Sequence, residues 1–405
     1  MNNTLILILV VGTALAFDFT NGFHDTANSV APTIATGALK PRTAVAFSAV
    51  LNIVGAFLSL KVAATIASSI VDQTSVTLAI VFAGLAGAIA WNITTWFFGL
   101  PSSSSHALIG GVVGAMFASV GSAGVLWHGI AAKVFVPGII APLVALLVAG
   151  LATVVSRAAT SRVDDGARTI GMRVGQIGAS GLQSIAHGTN DAQKTMGIIA
   201  ATLYSAGYLH ADDATKLAPP YWVIIAAQAA IAVGTFYGGW RIIETMGMKL
   251  TRITRASGLA ANLGAITSIN GATHYGIPIS TTHAAASSVI GSGVGSGHRV
   301  HLRTIRNMAT AWVFTLPSAA IVGALTYKLT ALPGILGLIF SAALIVALLV
   351  WAYRLTLSAT KADDVARSVA EARAGEGIAS KLPTDSPDNV LELIEEIWPD
   401  AHNGK

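Results

Sequence analysis

Asn21-Gly22-Phe23-His24-Asp25-Thr26-Ala27-Asn28 and Ala186-His187-Gly188-Thr189-Asn190-Asp191-Ala192-Gln193-Lys194 are the two stretches that decide how this chain is read. Each carries a carboxylate, an imidazole and amides, and the second adds an ammonium. The second lies between two apolar runs, 174–185 and 196–203. A charge at the centre of a bilayer costs about 2.5–3.5 kcal/mol on insertion scales. One such cluster would be an expensive accident. Two, in corresponding places, indicate a built site.

The surroundings of both clusters are those of a membrane protein. The chain has 405 residues, 53% hydrophobic and 11% charged, where a soluble protein carries about 25% charged residues. The mean hydropathy is +0.67. The apolar runs are long and do not alternate strictly, which predicts helices rather than an outer-membrane barrel. There is no cysteine, so disulfides and thiolate metal or redox sites are excluded. Met1-Asn2-Asn3-Thr4 lacks the basic start of a signal peptide, and 5–17 is read as part of the mature chain. No phosphate-cradling Walker loop, zinc motif or nucleophile elbow is present, so neither an enzyme nor a nucleic-acid-binding protein is expected, and no cofactor.

The chain divides into two halves with one order of elements. The first repeat, 1–155, runs from a cluster-bearing segment (5–39) through a span (43–66), a loop (71–75), an apolar pair broken at Gly99-Leu100-Pro101, a loop (121–132) and a span (133–155). A hydrophilic linker follows at 156–173. The second repeat, 174–330, has its cluster in 174–204, a loop at 207–220, a span at 221–246, a pair broken at Tyr275-Gly276-Ile277-Pro278 and a span at 309–327. A further span covers 332–353, within a segment taken as 331–358. The tail, 359–405, is expected to be hydrophilic with one short amphipathic helix at Leu391–Trp398. Lys and Arg mark cytoplasmic loops. They gather around Lys40 and Arg42, in 156–173, in 249–255 and in 299–306. All four fall on one side if each broken pair is a re-entrant hairpin. The two halves then have opposite topology, with the N-terminus outside and the C-terminal tail inside. The expected fold is therefore an all-α polytopic membrane protein of two inverted-topology repeats, each with a broken re-entrant helical hairpin.

Each hairpin breaks at proline and restarts with hydroxyls: Pro101-Ser102-Ser103-Ser104-Ser105-His106 and Pro278-Ile279-Ser280-Thr281-Thr282-His283. Ser and Thr are good N-caps, and a helix start presents unpaired N–H groups with partial positive charge. Two such starts meeting within the membrane make an oxyanion site without arginine. Ser103, Ser104 and Ser105 would serve from one side, and Ser280, Thr281 and Thr282 from the other; the alternative is that they only cap buried helices. Asp25 and Asp191 would repel an oxyanion unless a cation lies with them. Asn21, Asn28 and Asn190, with unwound carbonyls, supply oxygens for a hard cation such as Na⁺, and a carboxylate alone can carry a proton. Asn52 and Gln228 line the pathway or hold helices together; Asn52 is placed with the coupling cation. His106, His283, His187, Gln193 and Lys194 are expected around the site, with Lys194 able to neutralise Asp191 three residues earlier.

At these motifs, and at Gly238-Gly239-Trp240-Arg241, the chain resembles the inorganic phosphate transporter (PiT) family, of the prokaryotic type. The resemblance runs from the N-terminus to about Tyr353. It implies inverted repeats, a central phosphate site, cation coupling and a homodimer. Carried over by position, Asp25, Asn28, Asn190 and Asp191 belong to the phosphate and cation site, with Asn28 and Asn190 on phosphate and Na⁺ at Asp25 and Asp191. Gln193 and Lys194 stand where some relatives have a small polar residue and Asn, which breaks the match to Asn28. The resulting expectation is a secondary active symporter of inorganic phosphate in a prokaryotic cytoplasmic membrane, coupled to H⁺ or Na⁺. Sulfate is the alternative substrate, and a passive anion channel the alternative class.

Overall fold

The structure is a computed structural model describing residues 3–209, 218–333 and 335–373. The described residues are helical apart from turns and two isolated bridges, Val71 with Val125 and Thr251 with Val300. The helices are α1 (Asn3–Ala35), α2 (Pro41–Ala56), α3 (Lys61–Ser69), α4 (Leu78–Phe97), α5 (Ser104–Val120), α6 (Trp127–Ile130), α7 (Val136–Ala159) and α8 (Asp165–Ser205). They continue as α9 (Tyr221–Tyr237), α10 (Trp240–Glu244), α11 (Arg255–His274), α12 (Thr281–Gly295), α13 (Leu302–Thr330), α14 (Ile335–Thr356) and α15 (Ala362–Arg373). Among the described residues six helices are long and apolar enough to cross a membrane, or seven if the bent pair α9 and α10 forms one span. The chain is a multi-pass membrane protein.

The halves are packed into each other. The α4–α5 hairpin lies against α13, and the α11–α12 hairpin lies against α7. Cluster-bearing α1 packs on α9, and cluster-bearing α8 packs on α2. Glycine permits both crossings. A Cβ on Gly22 would sit 2.2 Å from the Ile231 carbonyl oxygen, and one on Gly188 would sit 2.2 Å from that of Asn52. The facing Gly234 and Gly55 are equally tight, at 2.1 Å from the oxygens of Phe19 and Ile185. Small residues at helix crossings let the backbones approach where lipid offers no hydrophobic drive for association.

Several elements differ from the sequence reading. The expected span 43–66 is two helices, α2 and α3, and the chain turns at 57–60. The expected span 221–246 breaks at Gly238, which adopts φ +74°, and α10 leaves at 64° to α9. The loop expected at 121–132 already contains α6, which runs on through a π-turn at Ala131–Phe135 into α7. The linker 156–173 is mostly helix, because Asp164 caps α8 by accepting from the N–H groups of Gly166 and Ala167. Arg157, Arg168 and Arg173 lie on helical turns, and Arg162 and Asp164 in the short connection between α7 and α8. Both polar clusters lie inside uninterrupted helices, so the unwound carbonyls expected there are absent. The amphipathic helix expected at Leu391–Trp398 lies outside the described residues. The tail instead shows α15, packed on α10 and α2, with Arg42 3.3 Å from Asp363. Both groups of that pair are exposed, and such pairs add little stability.

Candidate functional site

The two hairpin tips are built alike. Ser103 caps α5 by accepting from the His106 N–H, and Ser280 caps α12 by accepting from the His283 N–H, both at 3.1 Å. The first N–H groups of each helix, at Ser104 and Ser105 and at Thr281 and Thr282, then have no partner within their helices. The tips touch: Ser105 Oγ donates to the Ile279 carbonyl at 3.2 Å, and the rings of His106 and His283 meet edge to face at 5.0 Å. His283 also stacks on Trp312 at 4.1 Å, and the Trp312 indole donates to the Pro101 carbonyl at 2.8 Å. One residue of α13 thus braces both breaks.

Each tip is tied to the cluster helix of its own half. Ser104 Oγ donates to Asp25 Oδ1 at 3.1 Å, and Thr281 Oγ1 donates to Asp191 Oδ2 at 2.8 Å. Each tip is also tied to the other half, through the matched positions Asn28 and Lys194. Asn28 Nδ2 donates to Thr282 Oγ1 at 3.1 Å, and Lys194 Nζ donates to Ser105 Oγ at 2.6 Å. Lys194 Nζ further donates to Asp191 Oδ1 and, at 3.0 Å, to the Ile279 carbonyl. Each carboxylate has an imidazole beside it: His24 Nδ1 lies 2.6 Å from Asp25 Oδ1, and His187 Nε2 lies 2.8 Å from Asp191 Oδ2. One ligand atom from each of Asp25, His187 and Asp191 lies within 4.8 Å of the others. All of these side chains are buried.

Not every expected residue faces this junction in the expected way. Gln193 Oε1 accepts from the N–H groups of Val62 and Ala63, at 2.8 and 3.1 Å, so it caps α3. Asn52 Nδ2 donates to Thr235 Oγ1 at 3.1 Å, tying α2 to α9. Asn190 Nδ2 donates to Thr273 Oγ1 at 2.9 Å and to the Ile277 carbonyl at 3.5 Å, bracing the second hairpin turn. The amide oxygens of Asn21, Asn28, Asn52 and Asn190 are buried without a hydrogen-bond partner. These are acceptors, suited to a cation and unsuited to an oxyanion. The sequence reading passed over Asp18, which is buried with one oxygen bonded by Thr195 Oγ1 at 2.5 Å and the other unpartnered. It also passed over Thr95 and Ser102, which hold His24 Nε2 at 3.0 and 3.3 Å. A single Asp seven residues before Asp25, on the same face of α1, was the available signal for the first of these.

A sequence profile described as the phosphate transporter family matches residues 21–323, which include both clusters and both hairpins. The chain belongs to this family. Among its relatives, a protein of Mycobacterium bovis named a probable low-affinity inorganic phosphate transporter is 53% identical over 325 residues, covering 80% of this chain and 77% of the relative. A Bacillus subtilis protein of the same name is 41% identical over 329 residues, covering 80% and 96%. Among solved structures, one titled "The sodium-dependent phosphate transporter" aligns with a TM-score of 0.64 at 22% identity, over 80% of this chain and 98% of the other. That likeness is one of fold.

Proposed function

We propose that this chain imports inorganic phosphate by cation symport, through alternating access between two inverted repeats that pack into each other. The observation that carries the reading is the direct bond from each hairpin tip to a buried carboxylate, Ser104 to Asp25 and Thr281 to Asp191. Phosphate held by the helix starts at Ser103–Ser105 and Ser280–Thr282 would sit beside two negative charges. Anion binding there is unfavourable until a cation joins it, and that dependence is the coupling. A passive channel gains nothing from such carboxylates. The free amide oxygens of Asn21, Asn28, Asn52 and Asn190 shift these residues toward the cation side of the site. The related proteins' names support phosphate over sulfate. A homodimer in a prokaryotic cytoplasmic membrane, with the N-terminus outside and the C-terminal tail inside, completes the reading; the Lys and Arg loops support that orientation.

Purified protein in proteoliposomes, given labelled phosphate with Na⁺ and pH gradients imposed separately, tests the proposal. Uptake is expected to follow at least one gradient and to resist competition by sulfate. Uptake indifferent to both gradients would remove symport. Equal competition by sulfate would replace the substrate.

A further inference from the structure

The two clusters share a glycine and the carboxylate three residues after it, and differ at other positions, among them the one three residues beyond the carboxylate. Aligning Asp25 with Asp191 sets Gly22 on Gly188 and Asn28 on Lys194. The structure repeats that match in its contacts. Position 28 reaches Thr282 of the far hairpin, and position 194 reaches Ser105, which is the residue of the other hairpin equivalent to Thr282. The chemistry differs. Asn28 leaves a buried, unpartnered carbonyl oxygen. Lys194 brings an ammonium enclosed by three oxygens: Asp191 Oδ1, Ser105 Oγ and the Ile279 carbonyl. An ammonium has three donors and no acceptor, so all three are used. A carboxylate, a hydroxyl and a backbone carbonyl around one buried positive centre form the kind of oxygen set that coordinates a coupling ion in a transporter.

We propose that Lys194 is a tethered cation that fills the second of two paired cation positions, so that this chain moves one fewer cation per phosphate than a site carrying an amide there. Electrostatics gives the same count. Asp25 and Asp191 bring two negative charges into one buried cluster, and each needs a compensating charge when buried. With an amide at 194, both would have to come from solution. With Lys194, one is permanently supplied by the protein and cannot be carried across. The mobile cation is left to the Asp25 side, where Asn28 Oδ1 is free. This inference rests on the symport reading, and the test separates the two because it compares a variant with the wild type rather than with zero.

The experiment is the reaction order of phosphate uptake in sodium at fixed pH, in proteoliposomes of the full chain, for wild type and Lys194→Asn. If wild-type uptake follows neither a sodium nor a pH gradient, the symport reading itself fails. Given gradient-driven wild type, the order in sodium is expected to rise by one in Lys194→Asn. Uptake at low sodium should fall by about a hundredfold or more, because Asp191 loses its partner, and should recover at saturating sodium. Lys194→Met, similar in length but without charge or an oxygen ligand, should fall equally and not recover. An unchanged order in Lys194→Asn overturns the proposal, as does a folded Lys194→Asn that sodium cannot restore. Should Lys194→Asn not melt cooperatively in detergent, Asn28→Lys decides: it is expected to lower the cation order by one, and any other result overturns the proposal.

Discussion

Gln193→Leu separates a structural role from a role in transport at a residue adjoining Lys194. Gln193 is fully buried, and its Oε1 accepts from two successive N–H groups, Val62 at 2.8 Å and Ala63 at 3.1 Å. These belong to the first turn of α3, whose own N-cap residue, Leu60, provides no side-chain bond. A helix start needs acceptors for its first N–H groups, and here α8 supplies one across the helix interface. Leucine keeps the volume and removes the acceptor. Each buried N–H left unpaired costs about 1–3 kcal/mol. Allowing for the longer second bond, Gln193→Leu should lower stability by about 2–4 kcal/mol, more than the roughly 1 kcal/mol typical of losing an exposed cap. The assay is denaturant unfolding in detergent, paired with amide hydrogen exchange at Val62 and Ala63. Gln193→Glu, which keeps an acceptor at the same helix start, should restore protection at those two amides. Unchanged exchange at both in Gln193→Leu, with a stability loss below about 0.5 kcal/mol, would refute the capping account.

Asp191→Asn should abolish coupled uptake and also destabilise the fold by about 3–5 kcal/mol, because Lys194 is left buried without its partner. Adding Lys194→Met should return most of that stability and none of the transport, read by thermal melting beside proteoliposome uptake. Gly188→Ala should force α8 away from α2, since its Cβ would meet the Asn52 carbonyl oxygen at 2.2 Å. A loss of at least about 2 kcal/mol in melting is expected, and none would mean that the crossing yields. Asp18→Asn keeps an acceptor for Thr195 and removes a buried carboxylate oxygen that has no partner. Melting should be unchanged or raised, and a drop of more than about 1 kcal/mol would show that the charge is paired after all.

The broad architecture was legible because the signals that carried it are local. Proline breaks followed by hydroxyls marked both hairpins, and α5 and α12 start at Ser104 and Thr281. The duplicated Asp25 and Asp191 motifs marked the two helices that meet the hairpin tips. What was missed depends on contacts between distant segments. The cap that starts α3 comes from Gln193, about 130 positions away, so no local window through 43–66 reveals the break after α2. The bend at Gly238 needed a left-handed φ that a glycine permits but does not announce. The polar clusters were expected to unwind because their charges are costly in a helix within a membrane. They stay helical because the partners come from elsewhere: Ser104 and Thr281 from the hairpins. Asp18 escaped notice for the same reason, since its single partner, Thr195, lies on α8.

The exchange of partners between halves has a consequence for synthesis of the chain. The α4–α5 hairpin leaves the ribosome long before α13, the helix that covers it and whose Trp312 braces the Pro101 break. About 180 residues separate the end of α5 from the start of α13. At roughly 5–20 residues per second the first hairpin waits about 10–35 s for its neighbour. Throughout that interval its serine-rich tip faces lipid, or whatever machinery shelters it, without Trp312, and for about the first 70 residues of it also without Lys194. Neither half can be completed alone, so quality control of this protein must tolerate a long-lived half-chain. Separately expressed halves should each be degraded unless they are made together.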